Sequence, residues 1–278
     1  MPELPDLEVV KDILAPRIVG QTVRGVEVNR AGLLCTGEEG AASLVGRRLR
    51  AIDRRGGYLV FSFRENLFLV IDLGRWAWLW HGGQGYPPTT ATDLRLTLED
   101  GTDVRLIEAR VPRLAAVWLV SDLRAAEPLR KLGCEPLAEA FTADALRGLI
   151  AERRRPLKRI LTDPSLIAGI GNAYADEILF RAKLSPVRYG HTLTADEQEH
   201  LWRAIGDTLR WAIAEIRRRT GSALFEREIR DFLSVHGKKG APCPECGTPI
   251  AEILYDGTRT NYCPRCQRGG RGAPLRGG

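Results

Sequence analysis

Residues 243–266 read CPECGTPIAEILYDGTRTNYCPRC, and this stretch decides the fold of the C-terminal part of the chain. Thiolates in two Cys-x-x-Cys pairs at this separation can meet around one tetrahedral Zn²⁺, whereas a redox dithiol is the alternative chemistry for such pairs. Four protein ligands leave no open coordination position, so we expect one structural zinc ion. The segment between the pairs predicts two short strands around a turn at Asp256-Gly257, a zinc-ribbon hairpin. The predicted zinc ligands are Cys243, Cys246, Cys263 and Cys266.

The C-terminal tail and the two remaining cysteines give weaker structural signals than the hairpin does. Residues 271–278 combine Gly and Arg with few apolar residues, which predicts a flexible tail. Cys35 and Cys134 are isolated in the sequence, and we expect both to be small buried apolar side chains.

From about residue 122 to 219 the apolar residues recur at helical spacing. Thr142 and Thr194 are predicted N-caps, because each is followed within one turn by an acidic residue. Residues 167–177 read IAGIGNAYADE, a glycine-containing corner in which we expect Asn172 to cap the next helix. Free N–H groups at a helix start bind anions, so this corner and nearby Lys158 predict a phosphate site. The alternative is a helix-turn-helix corner that needs glycine only for packing.

Before residue 122 the pattern is different. Short alternating segments between about residues 20 and 120 predict an all-β unit, a two-sheet sandwich, with a short amphipathic helix over 3–16 in front of it. The fold class is therefore α+β and multidomain.

Composition sets the class of protein. Of the 278 residues, 44% are hydrophobic and 27% charged, which predicts a globular chain and excludes a disordered one. No apolar run reaches membrane-spanning length, and the acidic start MPELPDLEVV does not resemble a signal peptide, so we expect a cytoplasmic protein. The net charge of +6 is carried mostly by arginine. Guanidinium suits phosphate binding, although a GC-rich genome also enriches arginine.

The first residues suggest a nucleophile. Removal of Met1 would leave Pro2 as a free secondary amine, and an α-amine titrates near pH 8, so a neutral fraction exists at physiological pH. Such an amine can attack an electrophilic sugar carbon and form an iminium ion, with adjacent Glu3 moving protons. The alternative is structural: Pro2 and Pro5 frame a helix start, and the acidic residues favour its dipole.

Three of these segments together resemble one family. MPELPDLEVV, the GIGNAYADEILF corner and the terminal cysteine pairs with YCPRCQR occur in the order found in formamidopyrimidine/endonuclease VIII-type DNA glycosylases, from residue 1 to about 268. The resemblance implies a sandwich, a helix-two-turn-helix domain and a zinc-finger hairpin. The implied boundaries are 1–121 for the catalytic sandwich, 122–220 for the DNA-binding helices, 235–270 for the hairpin and 271–278 for the tail.

The resemblance also implies roles for individual residues. Pro2 matches the Schiff-base nucleophile and Glu3 the general acid, and Arg259 matches a finger arginine that grips phosphate and assists the second elimination. Lys158 and Asn172 match phosphate-binding positions. The implied partner is damaged double-stranded DNA, and the implied cofactor is Zn²⁺.

The chain also departs from the family pattern at positions that read the lesion. Gly57 occupies the place of a lysine that contacts DNA and helps proton transfer in oxidised-purine removal; neighbouring Arg55 can replace its charge. Arg75 stands where an apolar wedge is usual, and Arg110 lies in a wedge loop that lacks its phenylalanine. The tryptophans after Arg75 are interpreted as one sandwich face, with a stacking platform as the alternative.

Two further differences concern the base pocket. Asp6 replaces a glutamate, and only about a dozen residues separate RRRTGS from VHGKKGAPC, so the lid over an oxidised guanine is expected to be short.

These observations lead to two hypotheses. The first is a DNA repair glycosylase with AP lyase activity and non-standard lesion specificity, such as oxidised pyrimidines, ring-opened purines or bulky alkylated bases. The alternative is a non-catalytic binder of damaged or abasic DNA. A monomer associated with the nucleoid is the default expectation in either case.

Overall fold

The computed structural model describes residues 1–35, 40–83, 85, 87–151, 153–255 and 257–268. Asp256, in the predicted hairpin turn, and the predicted tail 271–278 lie outside the described residues. The chain forms two compact units. Unit 1 comprises Met1–Lys131 and Ile216–Glu228, and unit 2 comprises Leu132–Glu215 and Ile229–Gly278.

Unit 1 contains two four-stranded antiparallel sheets, in the strand orders β1-β6-β7-β5 and β2-β3-β4-β8. The predicted sandwich is therefore confirmed. The strands are β1 (Val23–Val28), β2 (Leu49–Arg55), β3 (Tyr58–Phe63), β4 (Leu67–Asp72), β5 (Trp78–Gly83), β6 (Thr92–Leu98), β7 (Thr102–Ile107) and β8 (Ala116–Val120).

Alternation along the strands builds the core of the sandwich. Leu94 and Leu96 of β6 and Leu59 and Phe61 of β3 are buried in one apolar cluster that draws on both sheets. Every second residue of a strand faces the same side, so the polar positions between them face outward.

A helix precedes the sheets. Helix α1 spans Leu4–Ile18, two residues beyond the predicted end and across Pro16. Its buried side chains, including Leu7 and Leu14, join the same core as the sheets. Burial of this apolar stripe is what holds a helix of this length in place.

The helical character predicted just after residue 122 is mostly absent. A single 3₁₀ turn at Leu123–Ala125 and the short helix α2 (Glu127–Arg130) occupy this stretch. Pro128 lies in the first turn of α2, where its missing N–H is tolerated, and it opposes extension of this helix toward the N-terminus.

Unit 2 carries the other helices of the described residues: α3 (Ala143–Ala151), α4 (Leu157–Leu161), α5 (Asn172–Arg181) and α6 (Ala195–Thr220), whose last residues from Ile216 belong to unit 1. The predicted caps are confirmed. Thr142 Oγ1 accepts the Ala145 N–H at 3.2 Å. Thr194 Oγ1 accepts the Glu197 N–H at 3.3 Å, and the Glu197 carboxylate accepts the Thr194 N–H at 2.8 Å.

The predicted cap at Asn172 is wrong. Gly171, with an extended backbone at φ −107° and ψ −161°, is the N-cap, and Asn172 is already the first helical residue. Gly169 makes the corner possible because its φ is +82°, a conformation that favours glycine.

The C-terminal hairpin consists of β9 (Ala251–Tyr255) and β10 (Thr258–Tyr262), paired antiparallel as predicted. It packs on α5 through Phe180, which shares an apolar cluster with Cys243, Ile250 and Cys263.

The expectation for the isolated cysteines is wrong, because Cys35 and Cys134 are both exposed. Both lie outside helices and longer strands, in connecting segments at the surface, where a small apolar side chain is not drawn into the core.

Candidate functional site

Unit 1 contains a cavity of about 420 Å³ beside the start of the chain. This volume falls within the range of about 300–1,000 Å³ that small-molecule pockets occupy. Its walls come from the chain start, the turn before β5, the end of β7 and the segment after α6. The residues used below are Pro2, Asp6, Arg75, Trp76, Arg110 and Glu228.

The backbone geometry at the start of α1 places Pro2 in the wall of this cavity. Glu3 is the N-cap of α1, and its N–H donates to Asp6 Oδ2 at 2.8 Å. Asp6 is fully buried and Glu3 is 5% exposed, so both carboxyl groups are held inside the protein. The predicted catalytic pair Pro2 and Glu3 is thus fixed by the same cap that starts the helix.

Met1 lies at the surface in front of Pro2. It is 64% exposed, and its ammonium group pairs with Glu228 Oε1 at 2.7 Å. An exposed first residue is accessible to a methionine aminopeptidase, whose action would leave Pro2 as the terminal amine.

The segment after α6 forms one wall. Leu224 and Phe225 pack against the sandwich core, and Phe225 to Glu228 line the cavity. The sequence predicts a short lid in this segment. In the structure, the segment begins with the apolar pair Leu224 and Phe225, and the charged residues Glu226 to Glu228 follow.

Two predicted DNA-binding arginines meet at the cavity on one indole ring. The Arg75 guanidinium carbon lies 4.8 Å from the Trp76 ring centroid and that of Arg110 lies 4.6 Å from it. Both arginines are exposed. The third, Arg55, is exposed at the end of β2 and does not line the cavity.

Buried carboxylates hold the loop that carries Arg110. Glu108 accepts the N–H groups of Leu114 and Ala115 at 2.9 and 3.0 Å. Arg113 donates to the buried Asp93 at 2.7 Å. The loop that carries Arg110 is therefore held at its start by Glu108 and at its end by Arg113.

Asp72 lies at the start of the turn that carries Arg75 and Trp76. Its Oδ1 accepts the Gly74 N–H at 2.7 Å. Burial raises the pKa of the Asp72 carboxyl, the Gly74 hydrogen bond opposes that shift, and the charge of Glu108 adds to it.

Gly57, at the position where the family has a lysine, has room for a larger side chain. Gly57 lies in the two-residue turn between β2 and β3, and a Cβ added to it would meet no atom within 4 Å. No steric reason therefore excludes a side chain at this position.

Unit 2 brings Lys158 and the hairpin together in a buried polar cluster. Lys158 is 6% exposed, and its Nζ donates to Asp176 Oδ1 at 2.5 Å and to Thr260 Oγ1 at 2.8 Å. It also donates to the backbone oxygen of Arg259 at 3.3 Å. The predicted phosphate ligand Lys158 is thus tied to the strand that presents Arg259, whose own side chain is 77% exposed.

Sequence reasoning missed Asp176 and His236. Asp176 Oδ2 contacts His236 Nδ1 at 2.8 Å and accepts the Asn261 N–H at 3.2 Å. Asn172 and Asp176 are four residues apart and so lie on one face of a helix, and this spacing was the sequence signal that could have indicated Asp176. Asn172 itself is the first residue of that helix, and its buried Oδ1 has no partner among the described residues.

The four hairpin cysteines have the arrangement that zinc requires. Their sulfur atoms lie within 4.8 Å of one another, with Cys243–Cys266 at 3.9 Å and Cys246–Cys263 at 3.4 Å. A tetrahedral ion with Zn–S bonds of about 2.3 Å places its sulfurs about 3.8 Å apart. Burial raises the pKa of the Cys263 thiol, so a bound cation is needed to favour its thiolate form.

No helix in the described part of the chain is long and apolar enough to cross a membrane.

Three family models match the chain. They are the formamidopyrimidine-DNA glycosylase N-terminal domain over residues 1–113, the formamidopyrimidine-DNA glycosylase H2TH domain over 132–222, and a zinc finger found in FPG and IleRS over 240–269. The zinc finger match and the cysteine cluster together establish one structural zinc ion.

Individual relatives agree with these matches. A formamidopyrimidine-DNA glycosylase of Thermus thermophilus is 39% identical, with 96% of this chain and 98% of the relative covered. Two solved structures of Lactococcus lactis Fpg each cover 96% of this chain and 100% of their own. One, bound to DNA that contains Fapy-dG, has a TM-score of 0.85 at 28% identity. The other, bound to DNA with an abasic site, has a TM-score of 0.86 at 27% identity.

Proposed function

The chain belongs to the formamidopyrimidine-DNA glycosylase family of DNA repair enzymes, and we propose that it is a bifunctional glycosylase and AP lyase with Pro2 as its nucleophile. The observation that carries the proposal is the position of Pro2 in the wall of a cavity of about 420 Å³, with the buried Glu3 next to it.

The first chemical step follows from the amine. Once Met1 is removed, the Pro2 nitrogen forms a bond to sugar C1′ while the bond between C1′ and the damaged base breaks, and the base leaves with a proton. Glu3 protonates the ring oxygen as the sugar opens, which gives an iminium ion between Pro2 and C1′. Because C1′ is inaccessible in a stacked duplex, the damaged nucleotide must leave the helix.

The lyase step uses the same iminium ion. The Glu3 carboxylate accepts a proton from C2′ as the bond from C3′ to the 3′ phosphate breaks. In a second elimination a proton leaves C4′ and the bond from C5′ to the 5′ phosphate breaks, with Arg259 in contact with the departing phosphate. Water then hydrolyses the iminium ion and releases Pro2.

DNA binding is assigned to both units. Arg75, Arg110 and Arg55 contact DNA from unit 1, and Lys158 and Asn172 contact it from unit 2. The buried ion pair of Lys158 with Asp176 favours a role in which Lys158 also positions the hairpin strand that carries Arg259. Zinc holds that hairpin and takes no part in the chemistry.

The domains are proposed as 1–121 for catalysis, 122–220 for DNA binding and 235–270 for the zinc hairpin. The protein is proposed to act as a monomer on chromosomal DNA in the cytoplasm.

The lesion is proposed to be a non-standard one. Gly57 supplies no titrating amine, the turn with Arg75 presents a cation where the family has an apolar wedge, and the loop with Arg110 lacks the phenylalanine of the family. Oxidised pyrimidines, ring-opened purines and bulky alkylated bases are the candidate substrates.

Release of free base from duplexes that carry one such lesion each tests the proposal. We expect the parent protein to release at least one of them, Pro2→Gly to release none, and both proteins to bind the duplex. Arg124→Ala, which removes an exposed arginine paired with Asp122 outside the cavity, is the matched control and should retain activity. Tight binding by the parent without release of any base would favour a non-catalytic binder instead.

A further inference from the structure

Unit 2 contains a cavity of about 320 Å³, which we call the α5–α6 cavity. Its walls come from the end of α5, the middle of α6, the segment that leads to the hairpin and the loop between the first two cysteines. The volume lies at the lower end of the range of about 300–1,000 Å³ that small-molecule pockets occupy. The wall residues used below are Glu177, Arg181, Thr208, Trp211, Ser234 and Glu245.

Several hydrogen-bond donors of this wall find no acceptor among the described residues. Thr208 is fully buried, and its hydroxyl oxygen has no hydrogen-bond partner. Within the same described ranges, the Trp211 indole N–H, the Ser234 hydroxyl and the Arg181 guanidinium have no acceptor either. Because buried polar groups of native proteins are nearly always paired, these donors point to an acceptor that the protein itself does not supply.

The carboxylates of the wall are engaged elsewhere. Glu177 accepts three consecutive backbone N–H groups, those of residues 234–236, at 2.9, 2.8 and 2.9 Å. Glu245 pairs with the ammonium group of Lys183. The cavity therefore presents donors in excess of acceptors.

Arg181 gives the cavity a positive charge. Its guanidinium carbon lies 5.5 Å from the centroid of the Trp211 ring, and that ring contacts Phe232 edge-on at 5.1 Å. No carboxylate in the described part of the chain lies at ion-pair distance from Arg181. A guanidinium held over an indole face keeps its N–H edge for a bidentate contact with a carboxylate or phosphate.

We propose that the α5–α6 cavity binds a small oxyanion that carries a planar ring, either an aromatic carboxylate or a nucleoside monophosphate. The oxygens of such an anion accept from the guanidinium, hydroxyl and indole donors. The ring contacts the apolar surface of Phe180 and Trp211, which an inorganic ion is too small to cover.

A ligand bound here would join α5, α6 and the loop between Cys243 and Cys246. The inference does not depend on the proposed function, because none of the wall residues is assigned to the chemistry, to DNA or to zinc.

Calorimetric titration of the zinc-loaded, full-length protein tests the proposal with benzoate, dAMP and inorganic phosphate as separate probes. We expect benzoate or dAMP to bind once per chain, and more tightly than inorganic phosphate, because only these two probes carry a ring. The tighter of the two identifies the ligand as a carboxylate or as a nucleotide.

Thr208→Val distinguishes a ligand-binding hydroxyl from a structural one. Since it removes an unpaired buried hydroxyl and keeps the shape, the Tm of the ligand-free variant should equal or exceed that of the parent. Its Kd for the bound probe should rise about 2- to 10-fold, the equivalent of one hydrogen bond. The control is Thr220→Val on the same helix, whose hydroxyl donates to the Ile216 carbonyl at 3.0 Å, and it should leave Kd unchanged.

Arg181→Gln tests the charge. It should raise Kd about tenfold or more, because a hydrogen bond to a charged group is lost. Arg203→Gln, on an exposed arginine of α6 that pairs with Glu199, is the matched control and should bind as the parent does.

The inference is overturned if neither ring-bearing probe binds at millimolar concentration, or if inorganic phosphate binds as tightly as they do. It is also overturned if Thr208→Val and Arg181→Gln both bind as the parent does. A lower Tm for Thr208→Val with unchanged affinity would make the hydroxyl structural and would count against the proposal in the same way.

Discussion

Single side chains at the cavity act through the backbone segments that hold them. Glu3 caps α1 and is bound to Asp6 through its N–H, so the proposed catalytic pair Pro2 and Glu3 has little freedom to reorient. At Gly57 and at Asp72 of unit 1, one substitution isolates one physical effect.

Gly57→Lys restores the family lysine. The variant should fold within about 0.5 kcal/mol of the parent, because the site is sterically open and at the surface of a turn. Excision of an oxidised purine should rise about tenfold or more, since a positioned acid–base group contributes at least that much. Single-turnover base release measures this effect.

Gly57→Gln serves as the control, because it has similar length without a titrating amine. Equal gains from both variants would show that the amine is not the missing element.

Asp72→Asn should stabilise the protein at neutral pH. Its pKa is raised above the ordinary 3.8 by burial and by Glu108, so the charged form destabilises the fold. This cost grows as pH rises from 3.8 to the raised pKa and is constant above it. The asparagine oxygen keeps the Gly74 hydrogen bond. We expect a higher Tm for the variant than for the parent at pH 7 and a difference that vanishes below about pH 3.

Asp122→Asn is the comparison, because Arg124 lowers the pKa of this exposed carboxyl instead. It should give no gain at pH 7. A Tm of Asp72→Asn below that of the parent at pH 7 would contradict the assigned cause.

Several residue-level features could not be predicted from the sequence. The partners of Lys158 are one example, because Asp176 and Thr260 are 18 and 102 positions away and only the fold brings them together. Asn172 was misplaced by one position, because a cap depends on backbone angles that residue type alone does not determine.

Among the elements of unit 2, the hairpin is tied to α4 and α5 by the hydrogen bonds of Lys158 and Asp176. The hairpin presents Arg259, and Lys158 fixes the backbone of that residue. Zinc fixes the other end of the hairpin through its cysteines.

Zinc removal should therefore abolish the contribution of Arg259 to strand cleavage. Cys263→Ser or chelation should unfold the hairpin, because metal binding supplies much of the folding free energy of such modules. Strand cleavage at an abasic site should fall while α6 stays folded. Zinc content by mass, circular dichroism and cleavage rate measure the three effects.

Cys134→Ser is the matched control, since this cysteine is exposed and outside the cluster. It should retain zinc and activity. Unchanged strand cleavage after verified zinc loss would disprove the link between the metal and Arg259.

Elements were more predictable than individual side chains. Alternation revealed the sandwich because each sheet buries one face, and cysteine spacing revealed the hairpin because a metal fixes the ligand geometry. The segment after residue 122 was mispredicted because its apolar residues cover the outer face of one sheet, with Ala126 buried against Val60 and Val70, and need no helix to do so.

At the scale of the whole molecule, charge is the feature that bears most on DNA. The net charge is +6, and five cations are assigned to DNA: Arg55, Arg75, Arg110, Lys158 and Arg259.

DNA affinity should fall steeply with salt. Each phosphate contact contributes about −0.9 to the slope of log K against log[salt], so five contacts set a limit of about −4.5. Arg259→Ala should make the slope shallower by about 0.9. Arg203→Ala, on an exposed arginine paired with Glu199, should leave it unchanged, and a flat slope for the parent would contradict the phosphate assignments.

Attack of the Pro2 amine on the sugar forms an iminium ion, and borohydride trapping detects that ion. The protein, with loss of Met1 verified by mass, is incubated with duplex DNA that carries an abasic site, and borohydride reduces any iminium ion to a stable adduct. We expect a covalent adduct whose cross-linked peptide begins at Pro2, with the DNA attached to the Pro2 nitrogen. No adduct from a parent that binds tightly with a free Pro2, or an adduct attached to a lysine elsewhere in the chain, would contradict this role of Pro2.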